Sequence, residues 1–147
     1  MKDLTRRRRH LVSALIVAGT LLIAGPASIG PASAAVHRET RYSEMCRFDW
    51  SRGTWQLRQL IKCAARRWKV PGGPDKALSV ARCESRFNPK AYNSGGFAGV
   101  FQQATYYWPG RARVYGFRDW SVFNGRANII VSIRMAHREG WAPWACA

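Results

Sequence analysis

Apolar residues recur at helical spacing in three separate stretches of this chain. The first stretch predicts a helix that Thr54 caps and that ends before Pro71-Gly72-Gly73-Pro74. Its apolar stripe consists of Leu57, Leu60, Ile61, Ala64 and Trp68. Because only the Pro–Gly linker separates this helix from the next one, we expect the two helices to pair as a hairpin.

The second stretch places a carboxylate on an apolar stripe. It follows Asp75, a candidate helix cap, and its stripe has steps of three, four and three through Ala77, Val80, Glu84 and Phe87. The helix is expected to end near Phe87, because Asn88 precedes Pro89 and the residue before a proline avoids the helical region. Glu84 then lies in the last turn, where partial burial and the negative end of the helix dipole both raise the pKa of its carboxyl.

A carboxylic acid that is still protonated near neutral pH can give its proton to a leaving oxygen, as cleavage of a glycosidic bond requires. The alternative is structural, with Glu84 solvated at the helix edge or paired with Arg82 or Arg86. Taken without any motif, the residues favour the structural interpretation, since carboxylates with perturbed pKa values are often structural.

The third stretch predicts a central, buried helix. Asn124 can cap it and Gly140 can end it. Its apolar residues form two stripes, one of Ile129, Ile133 and Ala136 and one of Ala127, Ile130 and Val131.

Between the second and third stretches the helical pattern is lost after Pro89. Ser94-Gly95-Gly96 and Gly99 allow a tight turn in which a sugar can approach the main chain, and a flexible surface loop is the alternative. A short helix, opened or kinked by Pro109, is predicted within residues 105–115.

The N-terminal 34 residues have the pattern of a secretory signal peptide. Its parts are the basic residues 6–9, the apolar residues 11–24 and the small-residue cleavage site Ala32-Ser33-Ala34. Gly25-Pro26 interrupts the apolar run, which falls short of the roughly 20 residues that span a bilayer. We therefore expect export and no stable membrane insertion. The arginines also admit twin-arginine export, so the export route stays open.

Cleavage after residue 34 would leave a polar arm, residues 35–49, and one domain, residues 50–147. The full chain carries a net charge of +16; without the five basic residues and one acidic residue of the signal, 19 basic and 7 acidic residues leave +12. This charge predicts attraction to anionic cell-wall polymers, with solubility as the plain alternative. Nucleic acid is not expected as a partner, since only charge and aromatic content would support it.

All four cysteines lie beyond the predicted signal, at Cys46, Cys63, Cys83 and Cys146. An even number in a small exported domain predicts two disulfides, for which three connectivities exist. Zinc is the competing interpretation. The sequence has no Cys-x-x-Cys pair and keeps only His37 and His137 after cleavage, so no metal is expected.

Three motifs resemble those of the soluble lytic transglycosylase and goose-type lysozyme superfamily. Glu84-Ser85, Phe87-Asn88-Pro89-Lys90-Ala91 and Gly99-Val100-Phe101-Gln102 occur in the order of that family's Glu-Ser, Asn-Pro-x-Ala and Gly-Leu-Met-Gln motifs. Residues 123–129 resemble the segment that opens the family's later helix. The family's late Tyr-Asn-Ala-Gly motif is missing, because Ala91-Tyr92-Asn93 lies too early.

The cysteine before Glu84 and the C-terminal residues 140–146 look most like the compact secreted version found in actinobacterial resuscitation-promoting factors. We predict the disulfides Cys46–Cys63 and Cys83–Cys146. The resemblance supports the second bond, which would tie the tryptophan-rich C-terminus to the helix beside Glu84.

The resemblance implies a mainly α, small lysozyme-like domain that has a groove beside the Glu84 helix and needs no cofactor. We expect a monomer. Its implied substrate is the β-1,4 bond between N-acetylmuramic acid and N-acetylglucosamine in peptidoglycan. Glu84 is then the catalytic acid. Gln102, Trp108 and Asn128 are nominated for substrate contact, and Ser85 for support of Glu84. The other tryptophans considered are assigned to packing, namely Trp55, Trp68, Trp141 and Trp144.

Two mechanisms and one non-catalytic function stay open. A lytic transglycosylase needs Glu84 alone, whereas a hydrolytic muramidase needs a second carboxylate, for which Asp119 is the best candidate. The remaining acidic residues have other predicted positions. Asp75 caps a helix, Glu139 lies at the end of the last helix, and three lie in the arm, namely Glu39, Glu44 and Asp49. This shortage favours the transglycosylase. A cationic wall-binding or antimicrobial module is the third possibility, but it has no use for an acid on the helix stripe.

Overall fold

The computed structural model describes residues 45–147, and about half of these residues are helical. They contain four α-helices: α1 (Thr54–Trp68), α2 (Gly73–Ser85), α3 (Trp108–Val114) and α4 (Gly125–Glu139). A 3-10 turn, Trp50–Arg52, precedes α1, and strands β1 (Phe97–Ala98) and β2 (Gln103–Ala104) form an antiparallel hairpin with Phe97 opposite Ala104. The predicted mainly α class and the two disulfides are confirmed.

Helix α4 lies at the centre of the fold, as its two apolar stripes predict. Ten of its 15 residues are buried, and α1 packs against both α2 and α4. Asn124 caps α4 by accepting a hydrogen bond from the backbone N–H of Ala127 at 3.1 Å, and the helix ends at Gly140. None of the helices within residues 45–147 is long and apolar enough to cross a bilayer.

The first two helices begin without the predicted side-chain caps. Gly53 occupies the cap position of α1, so Thr54 is its first helical residue. Gly72 occupies that of α2 in a left-handed conformation, φ 70°, and Asp75 lies inside the first turn. Pro74 suits this turn because its fixed φ is helical and its missing N–H would have had no partner there. Half of the predicted Pro–Gly linker therefore belongs to α2.

Both disulfides join the cysteines that were predicted to pair. Cys46 is bonded to Cys63 across 17 residues and Cys83 to Cys146 across 63 residues. In the chain-entropy description, the shorter loop contributes about 3 kcal/mol and the longer one about 4 kcal/mol to the free energy of unfolding.

Residues 45–49, predicted to belong to the arm, are attached to the domain. Arg126 of α4 donates to the carbonyl oxygens of Met45, Cys46 and Phe48 at 2.7, 3.2 and 2.8 Å. Together with the Cys46–Cys63 bond, these contacts fix the start of the domain against α1 and α4. The predicted signal segment and the arm residues 35–44 lie outside the described residues.

A buried amide connects α4 to the hairpin. Asn128 is fully buried and its Nδ2 donates to the carbonyl oxygens of Ala98 and Val122, both at 3.1 Å. Its Oδ1 accepts from the backbone N–H of Phe101 at 2.9 Å. Gly99, with φ 79°, completes the fit, because an added Cβ would overlap the Asn128 amide and lie 2.7 Å from the Val122 carbonyl oxygen.

We predict that Asn128→Ala lowers the free energy of unfolding by about 3 kcal/mol or more, because it leaves one N–H and two C=O groups without a partner in the core. Asn124→Ala, one turn earlier in the same helix, removes a single cap bond and should cost about 1 kcal/mol. Urea unfolding of the two oxidised variants measures the difference. Equal losses would show that the Asn128 amide is not the main connection between α4 and the hairpin.

Candidate active site

Glu84 lies in the last turn of α2, one residue before the helix ends at Ser85. The helix stops because Arg86 and Phe87 adopt left-handed conformations, with φ of 54° and 65°, and Arg86 donates its backbone N–H to carbonyl groups of the preceding turn. Pro89 follows two residues later and cannot continue a helix. The Glu84 side chain is half-buried at this point.

The environment of Glu84 favours the protonated acid. Burial raises the pKa of its carboxyl above the ordinary 4.5, and a hydrogen bond from the backbone N–H of Cys146 to Oε1, at 3.4 Å, opposes this rise in part. The direction of the shift agrees with the sequence-based prediction. The donor from Cys146 was not predicted, and it comes from the chain segment that the Cys83–Cys146 disulfide holds beside α2.

Glu84 opens into a cavity of about 250 Å³ between two chain segments. The cavity is lined by Glu84, Asn93, Phe97, Gln102, Pro143, Trp144 and Ala145. Asn93, Phe97 and Gln102 come from the hairpin region, and the last three residues come from the C-terminal segment. Glu84 is the one carboxylate among the residues that line this cavity.

Gln102, nominated for substrate contact, does line the cavity. Its Nε2 donates to the carbonyl oxygens of Gly99 at 3.0 Å and Ala91 at 3.4 Å, and its Oε1 accepts from Asn93 Nδ2 at 3.1 Å. These bonds fix the orientation of the amide. They leave Oε1 with a second lone pair that can accept a hydrogen bond from a ligand.

Ser85 connects the end of α2 to the hairpin. Its Oγ donates to the carbonyl oxygen of Val100 at 2.7 Å and lies 3.4 Å from that of Ala81. The residue after Glu84 is thus bonded directly to the loop that carries Gln102, which joins the helix that bears Glu84 to the hairpin side of the cavity.

Trp108 and Asn128, the other two nominated residues, belong to the core. Trp108 is 6% exposed and donates its Nε1–H to the carbonyl oxygen of Trp120 at 2.7 Å. It lines a different cavity, and Asn128 uses its whole amide on backbone groups. Neither side chain lines the cavity that contains Glu84. Each one instead forms its hydrogen bonds with backbone groups of the protein.

Asp119, the candidate second carboxylate, also lies apart from Glu84. It lines the same cavity as Trp108, together with Arg113, Arg118 and Trp120. This cavity has no lining residue in common with the one that contains Glu84. The structure therefore does not bring the two carboxylates into one cavity.

The tryptophans near the C-terminus pack as predicted, but one of them has a second role. Trp141 and Trp144 are buried and donate their indole N–H groups to the carbonyl oxygens of Pro71 at 2.7 Å and Phe101 at 2.9 Å. Trp144 also forms part of the cavity wall. The predicted packing of Trp55 is wrong, since it is 64% exposed. It lies two positions before Leu57, which places it on the opposite side of α1 from the apolar stripe.

Sequence reasoning missed four wall residues: Asn93, Phe97, Pro143 and Ala145. A signal for the last two was present. A Cys83–Cys146 bond necessarily places the residues just before Cys146 beside Glu84. No such signal singles out Asn93 and Phe97, whose position depends on how the hairpin folds.

No group of three His, Cys, Asp or Glu side chains in residues 45–147 is arranged to hold a metal ion. Comparisons of this chain with protein-family models, curated proteins and solved structures found no match.

The raised pKa of Glu84 predicts a pH-dependent effect of Glu84→Gln on stability. When folding raises the pKa of a group, its contribution to the free energy of unfolding is fully present below the unfolded-state pKa. That contribution is lost as the pH rises through the folded-state pKa. A neutral amide at this position would avoid the loss, so the variant should match wild type at about pH 3.5 and have a higher Tm than wild type at about pH 7.

Thermal unfolding at the two pH values measures this effect. Glu139→Gln removes the same charge from an exposed position at the end of α4 and controls for the change in net charge. A Glu84→Gln variant that is less stable than wild type at neutral pH would show that the fold favours the ionised carboxylate.

Proposed function

We propose that this protein is a secreted peptidoglycan-cleaving enzyme, a lytic transglycosylase that acts on the β-1,4 bond between N-acetylmuramic acid and N-acetylglucosamine. One observation carries the proposal: among the described residues, the only carboxylate lining the cavity between the hairpin and the C-terminal segment is Glu84, whose pKa is raised by burial.

A single carboxyl group is sufficient for this reaction. Protonated Glu84 donates its proton to the glycosidic oxygen, and the bond from that oxygen to the anomeric carbon of the muramic acid breaks. The resulting carboxylate accepts the proton of the same sugar's 6-hydroxyl, whose oxygen forms a bond to the anomeric carbon. The products are a free 4-hydroxyl and a 1,6-anhydro end, and Glu84 is protonated again.

The surroundings of Glu84 suit a sugar substrate. Phe97 is 42% exposed and Trp144 lies on the opposite wall, so the cavity has aromatic surface on both sides. Gln102 offers a fixed amide oxygen for an N–H donor such as that of an N-acetyl group. The resemblance of the Glu84-Ser85 and Gly99–Gln102 motifs to the transglycosylase superfamily supports the same reaction.

The remaining features fit an enzyme of the cell wall. Two disulfides suit an oxidising compartment outside the cytoplasm, in agreement with the secretory signal that the sequence predicts. A net charge of +12 without the signal attracts the protein to anionic wall polymers.

The hydrolytic alternative has less support. An inverting muramidase needs a second carboxylate roughly 6.5 to 9.5 Å from the acid, and a retaining one needs it at about 5 to 5.5 Å. Asp119 was the candidate, and it lines a separate cavity. A non-catalytic wall-binding module, in turn, would not require a half-buried carboxylic acid in the cavity that contains Glu84.

The proposal predicts that Glu84→Gln lowers the rate of cell-wall lysis at least about a hundredfold, because the amide keeps the shape of the side chain but has no acidic proton. Asp119→Asn is the matched control, in which another carboxylate becomes an amide and activity is retained. Turbidity loss of purified walls measures both variants. Lysis by Glu84→Gln at the wild-type rate would rule out this function, and loss of lysis in Asp119→Asn alone would favour a muramidase.

A further inference from the structure

The groove that begins at Glu84 continues along helix α3. A second cavity, of about 160 Å³, shares Phe97, Gln102, Pro143 and Trp144 with the Glu84 cavity. A third one, of about 440 Å³, shares Tyr107, Arg111 and Met135 with the second. The three cavities therefore follow one another, and Arg111 lies where the second meets the third.

Buried polar groups fix the guanidinium of Arg111. Its Nη1 donates to Oε1 of Gln103 at 2.6 Å, and Gln103 is only 2% exposed. Gln103 in turn donates through Nε2 to Oγ of the buried Ser132 in α4, at 2.7 Å. The guanidinium also lies over the ring of Tyr107, 5.3 Å from its centroid. A chain of hydrogen bonds from the core thus holds this cation in the wall of the groove.

Most of the hydrogen-bonding capacity of Arg111 is unused. A guanidinium has five N–H donors, and within residues 45–147 the guanidinium of Arg111 has one hydrogen-bond acceptor, Oε1 of Gln103. Glu139 lines the third cavity together with Arg111 and Arg138, but no carboxylate of that part of the chain forms an ion pair with Arg111. A pre-oriented guanidinium with free donors matches the planar, bidentate geometry of a carboxylate.

We propose that Arg111 forms an anionic subsite that binds a carboxylate of the peptide stem on the glycan strand held at Glu84, so that the enzyme prefers strands that carry their peptides. This inference rests on the proposed function. The stem is favoured over a free wall polymer because it is covalently attached to the muramic acid at the reaction centre. A strand lying in the groove brings its own carboxylates along the same wall.

The first test compares cleavage of stem-bearing strands with cleavage of strands whose stems have been removed by an amidase. Arg111→Gln should raise KM about tenfold on stem-bearing strands, leave kcat unchanged and have little effect on stripped strands. Arg111→Lys keeps the charge but loses bidentate geometry and should lie in between. Arg113 is an exposed arginine of the same helix and lines the separate cavity that contains Trp108 and Asp119. Arg113→Gln should therefore match wild type on both substrates.

A second test uses binding and does not depend on catalysis. Calorimetry in a Glu84→Gln background compares a disaccharide-peptide with the same disaccharide lacking its peptide. The peptide-bearing fragment should bind about tenfold more tightly, and adding Arg111→Gln should abolish this difference. Near-UV circular dichroism and Tm establish that the variants are folded.

The outcomes separate the two claims. Equal affinity for both fragments, or an equal effect of Arg111→Gln on both strands, overturns the stem subsite while lysis by the wild type still supports the proposed function. If the wild type cleaves neither strand but the Arg111-dependent preference is present in the binding assay, the proposed function fails and the subsite stands.

Discussion

The candidate site depends on the buried amide of Asn128. Its three hydrogen bonds hold Ala98 and Phe101 of the hairpin and Val122 of the loop before α4 in one arrangement. They cannot be exchanged for water without opening the core, so they specify a single position for the hairpin. Because the hairpin loop carries Gln102 and accepts the hydroxyl of Ser85 next to Glu84, this amide also sets the distance between the acid and the opposite wall.

The C-terminal segment supplies the second constraint. The Cys83–Cys146 disulfide attaches it to α2, and Trp144 attaches it to the Phe101 carbonyl in the hairpin loop. This segment lines the cavity beside Glu84 and donates the Cys146 N–H to its carboxyl, which opposes in part the rise in pKa that burial causes. The cavity thus lies between two segments that contain little regular structure themselves, and long-range bonds from α2 and α4 fix both of them.

The helices could be predicted because they depend on local periodicity. The stripe of α1, the two stripes of α4 and the Asn124 cap need no knowledge of distant residues. The starts of α1 and α2 were misjudged for a local reason. Gly53 and Gly72 take the cap positions with positive φ, which removes the need for Thr54 or Asp75 to act as a cap.

The composition of the site could be predicted only in part. Glu84 stands out as a charge on an apolar stripe, and Gln102 follows from the motif, but the roles of Trp108 and Asn128 depend on tertiary partners. Asn128 bonds backbone groups 27 and 30 residues away, and Trp108 bonds one 12 residues away. A sequence pattern shows that such side chains are polar or aromatic, but it does not show whether their partner is a ligand or the protein's own backbone.

In the proposed reaction, one carboxyl group carries out both proton transfers. Mass spectrometry of the muropeptides released from purified walls tests it most directly, because a 1,6-anhydro end is lighter by one water than a reducing end. If the proposed function holds, we expect the glycan ends released in the presence of this protein to carry the 1,6-anhydro group. Products with reducing ends would show that water is the nucleophile and would contradict the single-carboxylate mechanism.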